Sequence, residues 1–123
     1  AGSAPKFVVS LPLPSSGRPA LRADACYHLA TDAEWSAYRE AGRIAPPSLV
    51  AEGFVHCSWG RQVPGTVGRH FAGVTGLLAL ELDLGALAGA ALVEEDTAGV
   101  GQAFPHVYGP IPVAAVVGTV PVA

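Results

Sequence analysis

The feature that most constrains the fold of this sequence is a short apolar segment, residues 52–58, which ends in His56, Cys57 and Ser58. Two apolar residues predict a buried strand, and glycines on both sides limit its length to a few residues. Three chemically reactive side chains therefore lie at one edge of a sheet. Because side chains alternate along a strand, we expect His56 and Ser58 on one face and Cys57 in the core.

Two more histidines occupy similar apolar segments bounded by turn residues. His28 lies near the start of the chain and His106 near its end. An imidazole titrates close to physiological pH, so it suits proton transfer. Polar residues accompany each one, and we expect the segments to converge on one cleft. The predicted catalytic residues are His28, His56, His106 and Tyr108, and the predicted ligand contacts include Tyr27, Thr31 and Ser58.

Composition excludes several classes of protein. The 123 residues suit a single domain, and 50% hydrophobic against 14% charged residues exclude a disordered chain. A net charge of -3 with scattered basic residues argues against nucleic-acid binding. No apolar run reaches the roughly 18 residues of a membrane span. We find no signal peptide and expect a cytoplasmic protein in which Cys26 and Cys57 are buried thiols.

The order of predicted elements indicates an α+β fold. Prolines make residues 1–24 an extended lead with an edge strand at residues 6–13, and residues 25–123 form one catalytic or ligand-binding domain. Thr31 and Glu34 form a capping box. We expect a compact domain with a largely antiparallel, split sheet and two helices. Helices are predicted at 32–41 and 63–71, a helical turn at 48–52, and strands at 26–29, 54–57, 77–82, 91–94 and 116–120.

Other groupings of reactive residues give weaker hypotheses. Three histidines would suit zinc, but the short ligand spacings of metal motifs are missing. His56 and Cys57 are adjacent, so their side chains diverge on a strand and do not form a nucleophile pair. The acidic run 94–96 is interpreted as a solvated rim. Glu81 ends the predicted central strand and is expected either to work in a cleft or to pair with an arginine: Arg43, Arg61 or Arg69.

Several motifs together resemble the bacterial "domain of unknown function 952" family over about residues 26–120. They are Tyr27-His28-Leu29, Gly53-Phe54-Val55-His56-Cys57-Ser58 and Phe104-Pro105-His106-Val107-Tyr108-Gly109-Pro110. That family is distantly similar to the ADP-ribosyltransferase fold, a split antiparallel sheet with a cleft for NAD.

The resemblance also implies roles for individual residues. His28 would bind a ribose of NAD, and the second strand would contribute Phe54, His56 and Ser58. Arg43 would meet a phosphate, and Phe104 is a further ligand contact. The catalytic glutamate of that fold has no clear counterpart in the last third of the chain.

We therefore expect a small-molecule enzyme that performs general acid–base chemistry in a cleft lined by histidine and tyrosine. Cyclisation, isomerisation, elimination and hydrolysis all fit this description. The first alternative is an NAD-using transferase or hydrolase, and the second is a non-catalytic module that binds a nucleotide or metabolite. No metal and no cofactor are required, although NAD is a candidate. The oligomeric state stays open.

Overall fold

The computed structural model describes residues 20–123. The predicted edge strand at residues 6–13 lies outside the described residues. Within residues 20–123, none of the helices has the length and apolar character needed to cross a membrane. This part of the chain forms three α-helices: α1 Asp32–Ala41, α2 Pro47–Ala51 and α3 Val63–His70. Its strands are β1 Cys26–Thr31, β2 Arg43–Ile44, β3 Val55–His56, β4 Ser58–Trp59, β5 Leu77–Leu82, β6 Ala91–Glu95, β7 Phe104–Tyr108, β8 Ile111–Pro112 and β9 Val116–Pro121.

The largest sheet has the strand order β4-β1-β5-β9 and is antiparallel throughout. As predicted, β5 lies in its interior. Successive residues of β1 and β5 belong to different hydrophobic clusters, which shows that both faces of this sheet are covered. Cys26, Ala30 and Leu80 pack on one face, whereas Tyr27 and Leu29 pack on the other.

A second sheet covers the first of these faces. Its order is β3-β7-β6, and it is also antiparallel. Val55 and Val107 join the same cluster as Cys26, together with Ile44 and Ile111 of the small β2-β8 pair. Helix α3 covers the opposite face through Val63 and Val67. The expected compact α+β fold with a split antiparallel sheet is confirmed at this level.

The helix ends follow from local chemistry. Thr31 accepts from the Glu34 amide at 3.2 Å, and the Glu34 carboxylate accepts from the Thr31 amide at 2.8 Å. This confirms the capping box. Gly42 ends α1 in the left-handed conformation, with φ 80°. Pro64 lies in the first turn of α3, where the missing amide hydrogen costs nothing.

The reactive segment is not one strand, contrary to the prediction for 54–57. Val55 and His56 pair with β7, whereas Ser58 and Trp59 pair with β1 in the other sheet. The chain changes sheets at Cys57, so strict alternation does not hold across that residue. His56 is consequently half-exposed, while Cys57 and Ser58 are both buried.

Glu81 has a different partner from the three proposed arginines. Arg22 forms an ion pair with it, and the Tyr27 hydroxyl donates to it at 3.4 Å. The Arg22 amide also donates to that hydroxyl at 2.8 Å. The reason is the register between β1 and β5, which places Tyr27 directly opposite Glu81. The end of the predicted lead therefore contacts the domain.

Gly60 lies where no side chain fits, and this yields a stability prediction. A Cβ atom there would lie 1.9 Å from the Arg22 carbonyl oxygen. We expect Gly60→Ala to reduce the free energy of unfolding by about 1–3 kcal/mol, because buried backbone would have to move. Gly68→Ala is the control, because Gly68 is an exposed residue of α3 and a Cβ atom there would have no atom within 4 Å. This substitution should raise the free energy of unfolding by about 0.5–1 kcal/mol. Urea unfolding measures both, and equal stability of the two variants would contradict this account.

Candidate functional site

A cavity of about 590 Å³ opens between the two large sheets, α1 and α3. Its volume suits a small molecule. Four histidines line it: His28 of β1, His56 of β3 and His106 of β7, together with His70 of α3. The segments that carry His28, His56 and His106 therefore converge on one cavity, as expected. The apolar part of the wall comes from Leu29, Tyr38, Pro46, Pro47, Phe71 and Phe104.

The His28 ring is held by a backbone carbonyl. Its Nδ1 lies 2.7 Å from the carbonyl oxygen of His56. A carbonyl only accepts, so Nδ1 carries the hydrogen and donates it. The Cys57 amide donates to the Pro105 carbonyl, which makes His56 and His106 a non-hydrogen-bonded pair of the ladder. The His56 carbonyl therefore turns away from β7 and is free to accept from His28.

Burial keeps the His28 ring neutral. The residue is only 7% exposed, and desolvation lowers the pKa of His28 below its usual value despite the bond to the His56 carbonyl. With Nδ1 protonated, the lone pair of the neutral ring is on Nε2. No residue between 20 and 123 makes a hydrogen bond to this Nε2. His28 thus offers an unshared basic nitrogen in the wall of the cavity.

The His106 ring is held by a carboxylate instead. Its Nδ1 lies 2.9 Å from Glu95 Oε1, and the Tyr108 hydroxyl donates to the same oxygen. These two bonds lower the pKa of Glu95, mainly through Tyr108 and then through His106. The bond to Glu95 raises the pKa of Tyr108. Glu95 therefore stays ionised and fixes the orientation of the His106 ring. Nε2 of this ring makes no hydrogen bond to any of the described residues.

Phe54 sets the plane of the His106 ring. The two rings stack with centroids 4.0 Å apart and an interplanar angle of 15°. The His56 ring meets them edge-on, with centroids 4.8 Å from Phe54 and 5.2 Å from His106. His56 itself is 51% exposed and has Glu52 at 3.1 Å from Nε2. His56 is therefore held loosely at the margin, whereas His106 is 3% exposed and fixed on several sides.

The hydroxyl of Ser58 can only accept from a ligand. Thr66 donates its one hydroxyl hydrogen to the Gln62 carbonyl at 3.2 Å. The 3.0 Å contact between Ser58 and Thr66 must then be donated by Ser58. Both hydroxyls line the cavity. Ser58 is consequently a fixed acceptor, and nothing in this arrangement activates it as a nucleophile.

The predicted site residues divide into two groups. Thr31 caps α1, Phe54 lies behind His106, Tyr108 binds Glu95, and Arg43 lies exposed on β2 opposite Pro112, so none of these four lines the cavity. The members that do line it are Tyr27, His28, His56, Ser58, Phe104 and His106. The hydroxyl of Tyr27, however, bonds to Glu81.

Among the cavity residues that the site prediction missed, Glu95 and Arg69 carry charges that bear on function. Glu95 was interpreted as part of a solvated rim, which is wrong, because it bonds His106 and Tyr108. The signal is the β6–β7 ladder, in which Val93 lies opposite His106 and places Glu95 diagonally across from it. Arg69 of α3 also lines the cavity. Its neighbour His70 is the last residue of α3 and also lines the cavity.

Three histidines were also candidates for zinc ligation. Among the described residues, no group of three or more His, Cys, Asp or Glu side chains could hold a metal ion. Cys26 and Cys57 are both buried and both free. Hydrogen bonding between these thiols, together with burial, raises the pKa of Cys57 well above its usual value. Neither thiol is an activated nucleophile in this environment.

A known protein family matches most of this chain. The family model described as "Protein of unknown function (DUF952)" matches residues 29–119. The chain belongs to this family. The matched span contains His56, Glu95 and His106 and begins immediately after His28. No curated protein matches the sequence.

Solved structures of one bacterial protein are similar to this chain. The crystal structure of CC0527 from Caulobacter crescentus has a TM-score of 0.70 and 32% identity, covering 80% of this chain and 86% of that one. The solution NMR structure of CC0527 has a TM-score of 0.65 and 32% identity, covering 79% and 83%. The described fold is therefore that of a family with experimental structures.

The His28 environment makes a prediction about its proton. At pH 7 the ring should be the neutral Nδ1–H tautomer, with a titration midpoint below the ordinary value of about 6.5. Proton–nitrogen correlation spectra of histidine-labelled protein report both properties. His28→Gln identifies the signal. An Nε2–H tautomer, or a midpoint above 6.5, would contradict the assignment.

The same lowered pKa makes stability depend on pH. The unfolded chain binds a proton more readily than the folded chain, so the neutral ring favours folding above about pH 6.5. That contribution is lost as the pH falls from 6.5 towards the folded-state pKa. Urea unfolding between pH 7 and pH 5 should therefore show a smaller loss of stability for His28→Gln than for the parent protein.

Proposed function

We propose that this protein is a small-molecule enzyme in which His28 is the general base and His106 is the general acid. One observation carries the proposal. Two imidazoles line one cavity, each is anchored through Nδ1, and the anchors differ in charge: a carbonyl for His28 and a carboxylate for His106. Environments that separate two titratable groups in this way are typical of paired acid and base catalysts.

The protons balance across the two rings. His28 Nε2 takes a proton from the substrate. The hydrogen bond from Nδ1 to the His56 carbonyl then stabilises the positive charge on the ring. Protonated His106 delivers the proton on Nε2 to the developing anion or leaving group of the substrate. Each ring then holds the other's starting protonation state, and exchange with water restores both. Isomerisation, elimination, cyclisation and hydrolysis all need this pair of transfers.

Glu95 and Tyr108 are positioning residues in this scheme. The Glu95 carboxylate accepts from Nδ1 of His106 and leaves Nε2 to exchange the proton with the substrate, as the carboxylate of a catalytic triad orients its histidine. Tyr108 donates to the same oxygen and fixes the direction of the carboxylate. Ser58, an acceptor with its own hydrogen committed to Thr66, suits a hydroxyl or amine of the substrate. The scheme requires no cofactor.

A second candidate is an NAD-using transferase or hydrolase on an ADP-ribosyltransferase-like fold. The observation that favours it is Glu95, since a carboxylate in the last third of the chain does line the same cavity. Oε1 of this carboxylate already accepts from two donors, which favours the acid–base proposal over it. The predicted phosphate contact, Arg43, lies outside the cavity. A cytoplasmic location is part of either proposal, supported by the two free thiols.

The test begins with ligands and then asks for turnover. A metabolite panel that includes NAD is screened by thermal shift, and each stabilising compound is incubated with enzyme and followed by mass spectrometry. We expect conversion that falls about 10²–10⁴-fold in His28→Gln and in His106→Gln, with ligand binding retained. Glu95→Gln should lose less, and Tyr108→Phe least.

His70→Gln is the matched control, because this fourth histidine lines the cavity but is exposed and makes no hydrogen bond among residues 20–123. Its turnover should match that of the parent protein. Conversion unaffected by both His28→Gln and His106→Gln would contradict the proposal. Tight binding of a ligand that is never converted would identify a binding module. Stabilisation by NAD, followed by its cleavage, would favour the second candidate.

A further inference from the structure

Arg69 places a guanidinium in the cavity without an acidic partner. It lines the cavity near the end of α3, and its Cζ atom lies 5.4 Å from the centroid of the Phe104 ring. Within residues 20–123, Arg69 forms no ion pair. A guanidinium stacked on a ring keeps its in-plane N–H groups available, and these fit the two oxygens of a carboxylate or phosphate.

The acidic residues of the cavity are already engaged. Glu34 accepts from the Thr31 amide, Glu52 lies 3.1 Å from the His56 ring, and Glu95 accepts from His106 and Tyr108. Total charge alone would favour a cation, since three carboxylates face one guanidinium. Local contacts favour an anion at Arg69. Each carboxylate of the cavity already has a hydrogen-bond donor from the protein, whereas the guanidinium has no acidic partner within the described residues.

Phe104 relates the Arg69 guanidinium to the proposed general acid, His106, because both Phe104 and His106 lie on β7. Phe104 and His106 are two residues apart on β7, so their side chains share a face at a spacing of about 6.5 Å. A group bound by Arg69 above Phe104 therefore lies on the same face of β7 as His106. Apolar side chains such as Phe71 and Val100 also line the cavity.

We propose that Arg69, stacked on Phe104, is an oxyanion-binding subsite that selects substrates with an apolar body and a carboxylate or phosphate. This inference rests on the proposed function only for the reaction at His28 and His106. Arg69 is then a specificity-determining residue, and the substrate class is a small organic acid or phosphate ester.

A charge series on one scaffold tests the subsite without any turnover. Benzoate, benzamide and benzamidinium have nearly the same shape and carry charges of -1, 0 and +1. Each is titrated into labelled protein, with the Arg69 Nε–H signal as the reporter. We expect benzoate to bind roughly tenfold more tightly than benzamide and to shift that signal. Phenyl phosphate, titrated in the same way, decides between a carboxylate and a phosphate as the natural group.

Arg69→Gln should abolish the preference for benzoate, so that benzoate and benzamide bind alike. Arg39→Gln is the matched control, because Arg39 also stacks on an aromatic ring, with Cζ 5.3 Å from Trp35, but does not line the cavity. It should keep the preference. Tighter binding of benzamidinium than of benzoate would overturn the inference, as would an Arg69 signal unmoved by both benzoate and phenyl phosphate.

This result is separable from the acid–base proposal. His28→Gln should bind benzoate with unchanged preference over benzamide, since the oxyanion is held at Arg69. Loss of turnover in the histidine variants with no charge preference among the probes would overturn the subsite alone. A charge preference without any histidine-dependent turnover would sustain the subsite and contradict the acid–base proposal.

Discussion

The arrangement of the site depends on one hydrogen bond between the two sheets, from His28 Nδ1 to the His56 carbonyl at 2.7 Å. It exists because the segment 55–59 gives its first residues to one sheet and its last residues to the other. The crossing at Cys57 brings a backbone carbonyl of β3 against a side chain of β1. That single contact sets the tautomer of His28, joins the cavity walls and makes the two histidine environments different. Buried donors and acceptors at such a junction must be paired, and here the pairing also leaves the lone pair of the neutral His28 ring on Nε2.

Much of the fold could be predicted from local sequence. The Thr31 and Glu34 capping box, the glycine that ends α1 and the apolar run 77–82 each specify structure through neighbouring residues alone. The cavity histidines were also predicted, because they occupy strand segments bounded by turn residues. Local sequence does not specify which residues pair between strands that are far apart in the chain. Glu95 meets His106 through a strand register set by the loop between them, and Glu81 meets Arg22 through the β1–β5 register. Neither register has a signature in the local pattern.

The corrections within residues 54–58 have one physical cause. Alternation along residues 54–58 holds only while a strand stays in one sheet, and this segment changes sheets at Cys57. The predicted core position of Cys57 still holds, since it packs against Cys26 and Leu80. The interpretation of Ser58 changes more: its hydrogen is committed to Thr66, which leaves a fixed acceptor. A site predicted as a row of reactive groups becomes one neutral ring, one carboxylate-anchored ring and an arginine on a separate element, α3. Such a division of roles is what acid–base catalysis on an anchored substrate requires.

The most direct test of the central claim is a crystal structure of the protein with a ligand from the metabolite screen bound. The account predicts that the ligand lies between the two rings, with His28 Nε2 and His106 Nε2 each within hydrogen-bond distance of it, about 3 Å, or one water away. Both Nδ1 atoms should keep their bonds to the His56 carbonyl and to Glu95. A ligand that occupies the cavity while either Nε2 faces away from it would contradict the assignment of base and acid.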